Sequence, residues 1–97
     1  MADLHFAWDP AKAAANVAKH GVTFEEAETA FSDEAGLLLD DPEHSATEDR
    51  FVLLGLSARL RVLVVVHCYR EADTVIRLIS ARRADRLERE FYVRRNA

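Results

Sequence analysis

The sequence predicts an α+β fold in the order strand, two helices, further strands, closing helix, around a largely antiparallel sheet. Three observations predict it. Two well-marked helix starts stand in the first third of the chain, at Asp9-Pro10 and at Thr23. From Phe51 onward, three runs rich in Val, Leu and Ile follow one another across short breaks, which suit hairpins rather than crossover helices. Finally, strand and helix signals do not alternate regularly, so a doubly wound parallel sheet is not expected.

Each element has its own local cause. His5-Phe6-Ala7-Trp8 alternates enough for a short first strand. Asp9 is placed to cap a helix, with Pro10 at the first helical position, where its missing N–H does no harm. The alanine-rich stretch from Ala11 to His20 continues that helix, and Gly21 supplies a left-handed stop. Ala11, Ala14, Ala15 and Ala18 form its expected apolar stripe. Thr23-Phe24-Glu25-Glu26 has capping-box spacing, so a second helix is expected to about Phe31, burying Phe24, Ala27 and Phe31. Gly36 to Leu39 is a short candidate strand, and Asp40 to Asp49 reads as an exposed acidic loop.

Strands are expected over Phe51 to Ser57, Arg61 to Tyr69 and Thr74 to Ser80, with turns at Ala58-Arg59-Leu60 and Arg70-Glu71-Ala72-Asp73. Arg82 to Arg94 is expected to close the chain as a helix with Ala84, Leu87 and Phe91 on its apolar side. The register of the last hairpin is open. If Arg70 pairs with Thr74, Arg77 falls opposite His67 and both face one cleft. If Tyr69 pairs with Thr74, Arg77 falls opposite Val66 and on the other face.

Ninety-seven residues fit one domain, spanning 1–97, and 49% apolar with 31% charged residues excludes wholesale disorder. The longest uncharged stretches, Phe51 to Ala58 and Val62 to Tyr69, are too short to span a bilayer. No signal peptide is expected from Met1-Ala2-Asp3-Leu4-His5, and the lone Cys68 cannot form an internal disulfide, so a cytoplasmic location is expected. The net charge of -4 conceals a division. Residues 1–50 carry twelve acids against three basic residues, whereas residues 51–97 carry ten arginines against five acids. Guanidinium grips phosphate with a planar fork, so an arginine-rich half hints at a nucleic-acid or other anionic partner.

Four segments carry a resemblance. Phe6-Ala7-Trp8-Asp9-Pro10-Ala11-Lys12 with Asn16 and Lys19-His20-Gly21-Val22-Thr23-Phe24-Glu25-Glu26-Ala27, then Phe51 to Ser57 with Leu63 to His67, resemble the opening and central hairpin of the BrnT family of type II toxins. Ile76 to Ala84 and Glu88-Arg89-Glu90-Phe91-Tyr92 are similar to its closing strand and last helix. The resemblance implies a RelE-like ribonuclease fold, RNA as substrate, and a cognate BrnA-like antitoxin that binds operator DNA and forms a heterotetramer with the toxin. Two departures stand out: Leu60 sits where relatives often have glycine, and Glu71-Ala72-Asp73 replaces a glycine-containing turn.

The chemistry expected is cleavage by a ribose 2′-hydroxyl without metal or other cofactor. Fixed cations stabilise the five-coordinate phosphate, and a histidine handles protons near neutral pH. Arg77, inside the apolar run Val75 to Ile79, must reach an exposed sheet face or find a partner. With Arg82 and Arg61 it is the expected set of phosphate cations, and His67 is the expected proton handler. Arg82 and Arg83 are expected at a sheet-to-helix junction after Ser80, where a helix start attracts anions. Arg83, Lys12, Lys19 and His20 are expected to flank the RNA, and Trp8 to stack on a base. Against these stand plainer readings: surface charge for the lysines, His20 and the junction arginines, a semi-buried strand residue for His67, and core packing for Trp8. The rival class is a non-catalytic module clamping an acidic partner segment. A DNA-binding repressor lacks helix-turn-helix spacing. The acidic loop with His44 lacks the ligand spacing of a calcium loop, and Cys68 has no nucleophile-supporting motif beside it.

Overall fold

The computed structural model describes residues 5–41 and 49–96. The acidic stretch expected as a loop, with His44, lies largely outside the described residues. The elements run β1 (His5–Ala7), α1 (Pro10–His20), α2 (Phe24–Ala30), β2 (Leu37–Asp40), β3 (Phe51–Leu56), β4 (Val62–Arg70), β5 (Val75–Arg83) and α3 (Arg86–Arg95). One five-stranded sheet has the order β1-β5-β4-β3-β2. β2 to β5 pair antiparallel and β1 joins β5 in parallel, so the fold is α+β with a largely antiparallel sheet, as the sequence predicts.

The first two helices start where their caps require. Asp9 accepts from the Ala11 N–H at 3.0 Å, and Gly21 stops α1 at φ 68°. Thr23 accepts from the Glu26 N–H at 3.0 Å. Glu26 does not complete the expected box by reaching back. Its buried carboxylate turns to Arg61 and Ser57 instead, because a charge-assisted pair outcompetes a lone backbone N–H. The alanine stripe is also a correction: Ala11, Ala14, Ala15 and Ala18 are exposed, and α1 docks through Ala13 and Asn16. Asn16 donates to the carbonyls of Val22 (2.9 Å) and Ala81 (2.8 Å) and accepts from the Ala81 N–H (3.0 Å). Three satisfied bonds to the neighbouring backbone fix the face of the helix more firmly than methyl groups alone.

Both helices cover one sheet face. There Phe24, Ala27, Leu53, Leu63, Val65, Ile76, Leu78 and Ala81 form the main core. A smaller cluster of Leu54, Val64 and Ala84, with Val52, Val62 and Tyr92 against it, occupies part of the opposite face under α3. The remainder of that second face has no described helix over it.

The end of the chain departs from expectation. β5 continues to Arg83, and the last helix starts only at Arg86, capped by Asp85 in a full capping box with Glu88. Arg82 and Arg83 are therefore strand residues, and neither they nor Ser80 stand at a helix start. A real N-cap three residues downstream outcompetes the serine. Leu87 and Phe91 are 74% and 44% exposed, so the expected apolar side of α3 is mostly uncovered. The helix is held by polar contacts: Tyr92 Oη donates to Asp33 at 2.6 Å, and Asn96 donates to the Ala35 carbonyl at 3.1 Å.

Candidate nucleic-acid interface

Strand alternation sorts the basic residues onto two faces. Leu78 and Ile76 point into the main core, so Arg77 between them points to the second face. Its cross-strand partner is Cys68, since Arg70 pairs with Val75 across a four-residue turn, a register that is neither of the two expected. A bulge follows between Val66 and His67, after which Ser80 pairs with Val66 and Arg82 with Val64. Arg77, Ser80 and Arg82 therefore share the second face of β5. Arg70, two residues beyond Cys68 on β4, alternates onto it as well. On β1, Phe6 packs into the main core, which puts Ala7 and His5 on the second face; Ala7 pairs with Arg77 and His5 with Val75.

This face has a graded electrostatic character. Arg77 is half-buried and has no hydrogen bond or ion pair with any described residue. Arg82 is engaged: its Nη1 and Nη2 donate to Glu88 Oε1 and Oε2 at 2.7 and 2.8 Å. Those hydrogen bonds hold the Glu88 carboxyl below its ordinary value and the Arg82 guanidinium above its own. Arg77 is thus a second-face cation without a described partner, while Arg82, five residues further along β5, is already paired with Glu88.

Two members of the expected catalytic set lie elsewhere. Arg61 precedes β4 on the helix-covered face. Its Nε donates to Glu26 at 2.9 Å, its Nη2 forms a second short bond to the same carboxylate, and Nη2 lies 3.4 Å from the Gly21 carbonyl. His67 is fully buried in the main core. Its Nδ1 lies 3.1 Å from the Val65 carbonyl and its ring packs edge-on against Phe31 (4.8 Å) and Tyr69 (5.3 Å). Nε2 has no partner among the described residues, and burial pushes the imidazole pKa down. Pairing with Leu78 turned it inward, away from Arg77. The expected cleft shared by Arg77 and His67 does not form.

The expected flanking residues also divide. Arg83 pairs with Leu63 and lines a groove of about 220 Å³ at the end of the sheet with Leu60, Arg61 and Arg89. Lys12 and Lys19 are exposed on α1, and His20 is half-buried at its end, all on the helix-covered side. Trp8 packs against the main core, edge-on to Phe24 at 5.8 Å, as its plainer reading has it. Sequence reasoning missed His5, Arg70 and Arg89. Period-two counting back from Phe6 and from Cys68 would have found the first two, had the inward face been known.

Among the described residues no group of three or more His, Cys, Asp or Glu is placed to hold a metal ion, and no helix is long and apolar enough to cross a membrane.

Comparison with known proteins gives two positive findings. Residues 8–88 match the family of ribonuclease toxins, BrnT, of type II toxin–antitoxin systems. The fold is similar to the crystal structure of the Brucella abortus ribonuclease toxin BrnT, with a TM-score of 0.65 at 22% identity, covering 86% of this chain and 99% of that one. No curated protein matches. With most of the chain inside the family's match and the same α+β frame around it, this protein belongs to the BrnT family of type II ribonuclease toxins.

Proposed function

We propose that this chain is an endoribonuclease toxin that binds single-stranded RNA across the second sheet face and cleaves it by attack of a ribose 2′-hydroxyl on the adjacent phosphate. The observation that carries the reading is Arg77: a guanidinium in mid-strand, half-buried on an open sheet face, with no described partner. A cation held in a partly dry site and spared a carboxylate is suited to charge that develops on phosphate. Arg82, tethered by Glu88, supplies a second positive group on the same strand face, and Arg70 a third at the far end.

Proton handling falls to His5 in this reading. Among the described histidines it is the one that strand register puts on the face of Arg77, roughly 7 Å along β1 from the residue that pairs with Arg77. His67 and Arg61 are left out, the one being sealed in the core and the other clamped by Glu26. Arg83 and Arg89 would meet flanking phosphates where RNA turns over the end of the sheet, and Lys12, Lys19 and His20 lie on the far side of it. No step in this scheme requires a metal ion. Cleavage would inhibit translation and growth in the cytoplasm until a BrnA-like, DNA-binding antitoxin joined the toxin in a heterotetramer.

The test is cleavage of RNA by the purified chain freed from antitoxin, in the presence of EDTA, with end-group analysis. Products ending in 2′,3′-cyclic phosphate are expected. Arg77→Ala should lower the rate at least a hundredfold and abolish growth inhibition. Unchanged cleavage by Arg77→Ala, or activity restored only by added metal, would overturn the reading.

A further inference from the structure

The second face carries an apolar groove next to the arginines. Leu39, Val52, Leu54 and Val64 form its floor, and Leu87 and Phe91 of α3 its wall, with Glu88 at the rim. Its volume of about 220 Å³ is below the range of about 300–1,000 Å³ usual for small-molecule pockets, so it suits one or two inserted side chains. Nucleic acid is a poor occupant, because the floor offers no donor to a sugar or phosphate that would be desolvated there. The groove is open on one side, where β2 ends the sheet and no described strand pairs with its outer edge. On the other side its floor continues along β4 from Val64 through Val66 to Cys68, the residue paired with Arg77. Leu39 is 44% and Leu87 74% exposed, more aliphatic surface than a freely soluble face needs.

We infer that this groove is the docking site for a segment of the cognate antitoxin that combines apolar side chains with a carboxylate, the apolar part seated between β2 and α3 and the carboxylate reaching Arg77. Charge complementarity and continuity choose this occupant. A peptide anchored over Val52 and Val64 is carried by the run of the sheet along β4 toward Arg77, a second-face arginine without a described partner. The same segment would then occupy the place of an RNA phosphate, so inhibition follows from occupancy without any change of fold. Only this last step rests on the functional reading above; the docking surface itself does not.

The experiment titrates the purified toxin with its co-encoded full-length antitoxin, with Leu39→Glu, Phe91→Glu and the milder Leu39→Ala and Phe91→Ala as variants. The far-UV circular dichroism spectrum and melting temperature of each free variant serve as the fold control. The glutamate variants should bind the antitoxin at least tenfold more weakly, the alanine variants severalfold more weakly, and all should cleave RNA at the parent rate. Wild-type affinity in folded variants of both residues overturns the inference. So does a concentration-dependent dimer of free toxin that Leu39→Glu abolishes, since the groove would then belong to a second copy. If a glutamate variant fails to fold, the alanine pair decides. Arg77→Ala separates the two readings: retained cleavage with weakened antitoxin binding overturns the catalytic role of Arg77 and leaves the docking surface standing, whereas loss of salt-sensitive antitoxin affinity with loss of cleavage supports both.

Discussion

Arg82 on β5 and Glu88 on α3 meet prong to prong, with N–O distances of 2.7 and 2.8 Å. The same carboxylate accepts from the Asp85 N–H at 2.8 Å, so one side chain both caps the helix and ties it to the strand. An arginine so engaged cannot give its full charge to a phosphate. Glu88→Gln should free it. RNA affinity is expected to rise severalfold, with the salt slope steepening by up to about 0.7, one extra phosphate contact on a single strand. Stability should fall by about 0.5–1 kcal/mol, since the pair is partly exposed and screened. An unchanged slope in a binding titration would assign Arg82 to holding α3 alone.

His67 makes the protein sensitive to acid. Burial among Phe31, Phe51 and Tyr69 lowers its pKa, so the folded chain keeps it neutral while the unfolded chain takes up a proton below about pH 6.5. Its contribution is fully present above that pH and is lost as the pH falls toward the depressed folded value. His67→Phe fills the same aromatic space and removes a buried nitrogen without a described partner. Thermal melts between pH 5 and 7 should flatten in this variant, with stability at pH 7 equal or higher. RNA cleavage should be retained; its loss would return His67 to the mechanism.

What the sequence discloses depends on how local the cause is. The starts of α1 and α2 were legible because Asp9, Pro10 and Thr23 act on their own backbone. The three long strands were legible from composition. Which way Arg77 and His67 face was not, because it hangs on a single-residue choice in the turn and on a bulge. Arg61 looked like an active-site cation because nothing in the sequence couples it to Glu26, thirty-five positions away. Of the expected cations, Arg77 and Arg82 share a sheet face and Arg61 lies on the other. The polar docking of α3, through Tyr92 and Asn96, was invisible to a search for apolar periodicity.

Two turns depart from the glycine that suits them. Leu60 has φ 61° and is 79% exposed, so it bears the left-handed conformation without packing in return. Glu71, Ala72 and Asp73 stand in succession at φ 52°, 55° and 67°. A side chain in this region costs about 1 kcal/mol relative to glycine. Leu60→Gly should raise the melting temperature by roughly 4–8 °C, less whatever the added freedom of the unfolded chain takes back. No gain in a calorimetric scan would mean that the turn is relaxed as it stands.

The Glu26–Arg61 pair offers the sharpest separation of fold from catalysis. Glu26 is 6% exposed, accepts from Ser57 Oγ at 2.7 Å as well as from Arg61, and has Arg59 at 3.9 Å. The Arg61 hydrogen bonds hold its carboxyl below the ordinary value against the opposing effect of burial. Glu26→Gln leaves a guanidinium without its carboxylate, but Arg61 is partly exposed and water can take up some of the loss, so a cost of about 2 kcal/mol is expected rather than the full penalty of a sealed ion. The carboxylate's contribution is present above the unfolded pKa near 4.5 and disappears as the pH falls through the lower folded value, so variant and parent should converge in strong acid. Arg61→Ala should be destabilised to a similar degree. Below their melting points both variants should cleave RNA at the parent rate per folded molecule. A hundredfold loss in Arg61→Ala with the rate of Glu26→Gln intact would put Arg61 at the phosphate after all, and would require the RNA to run on the helix-covered edge of the sheet.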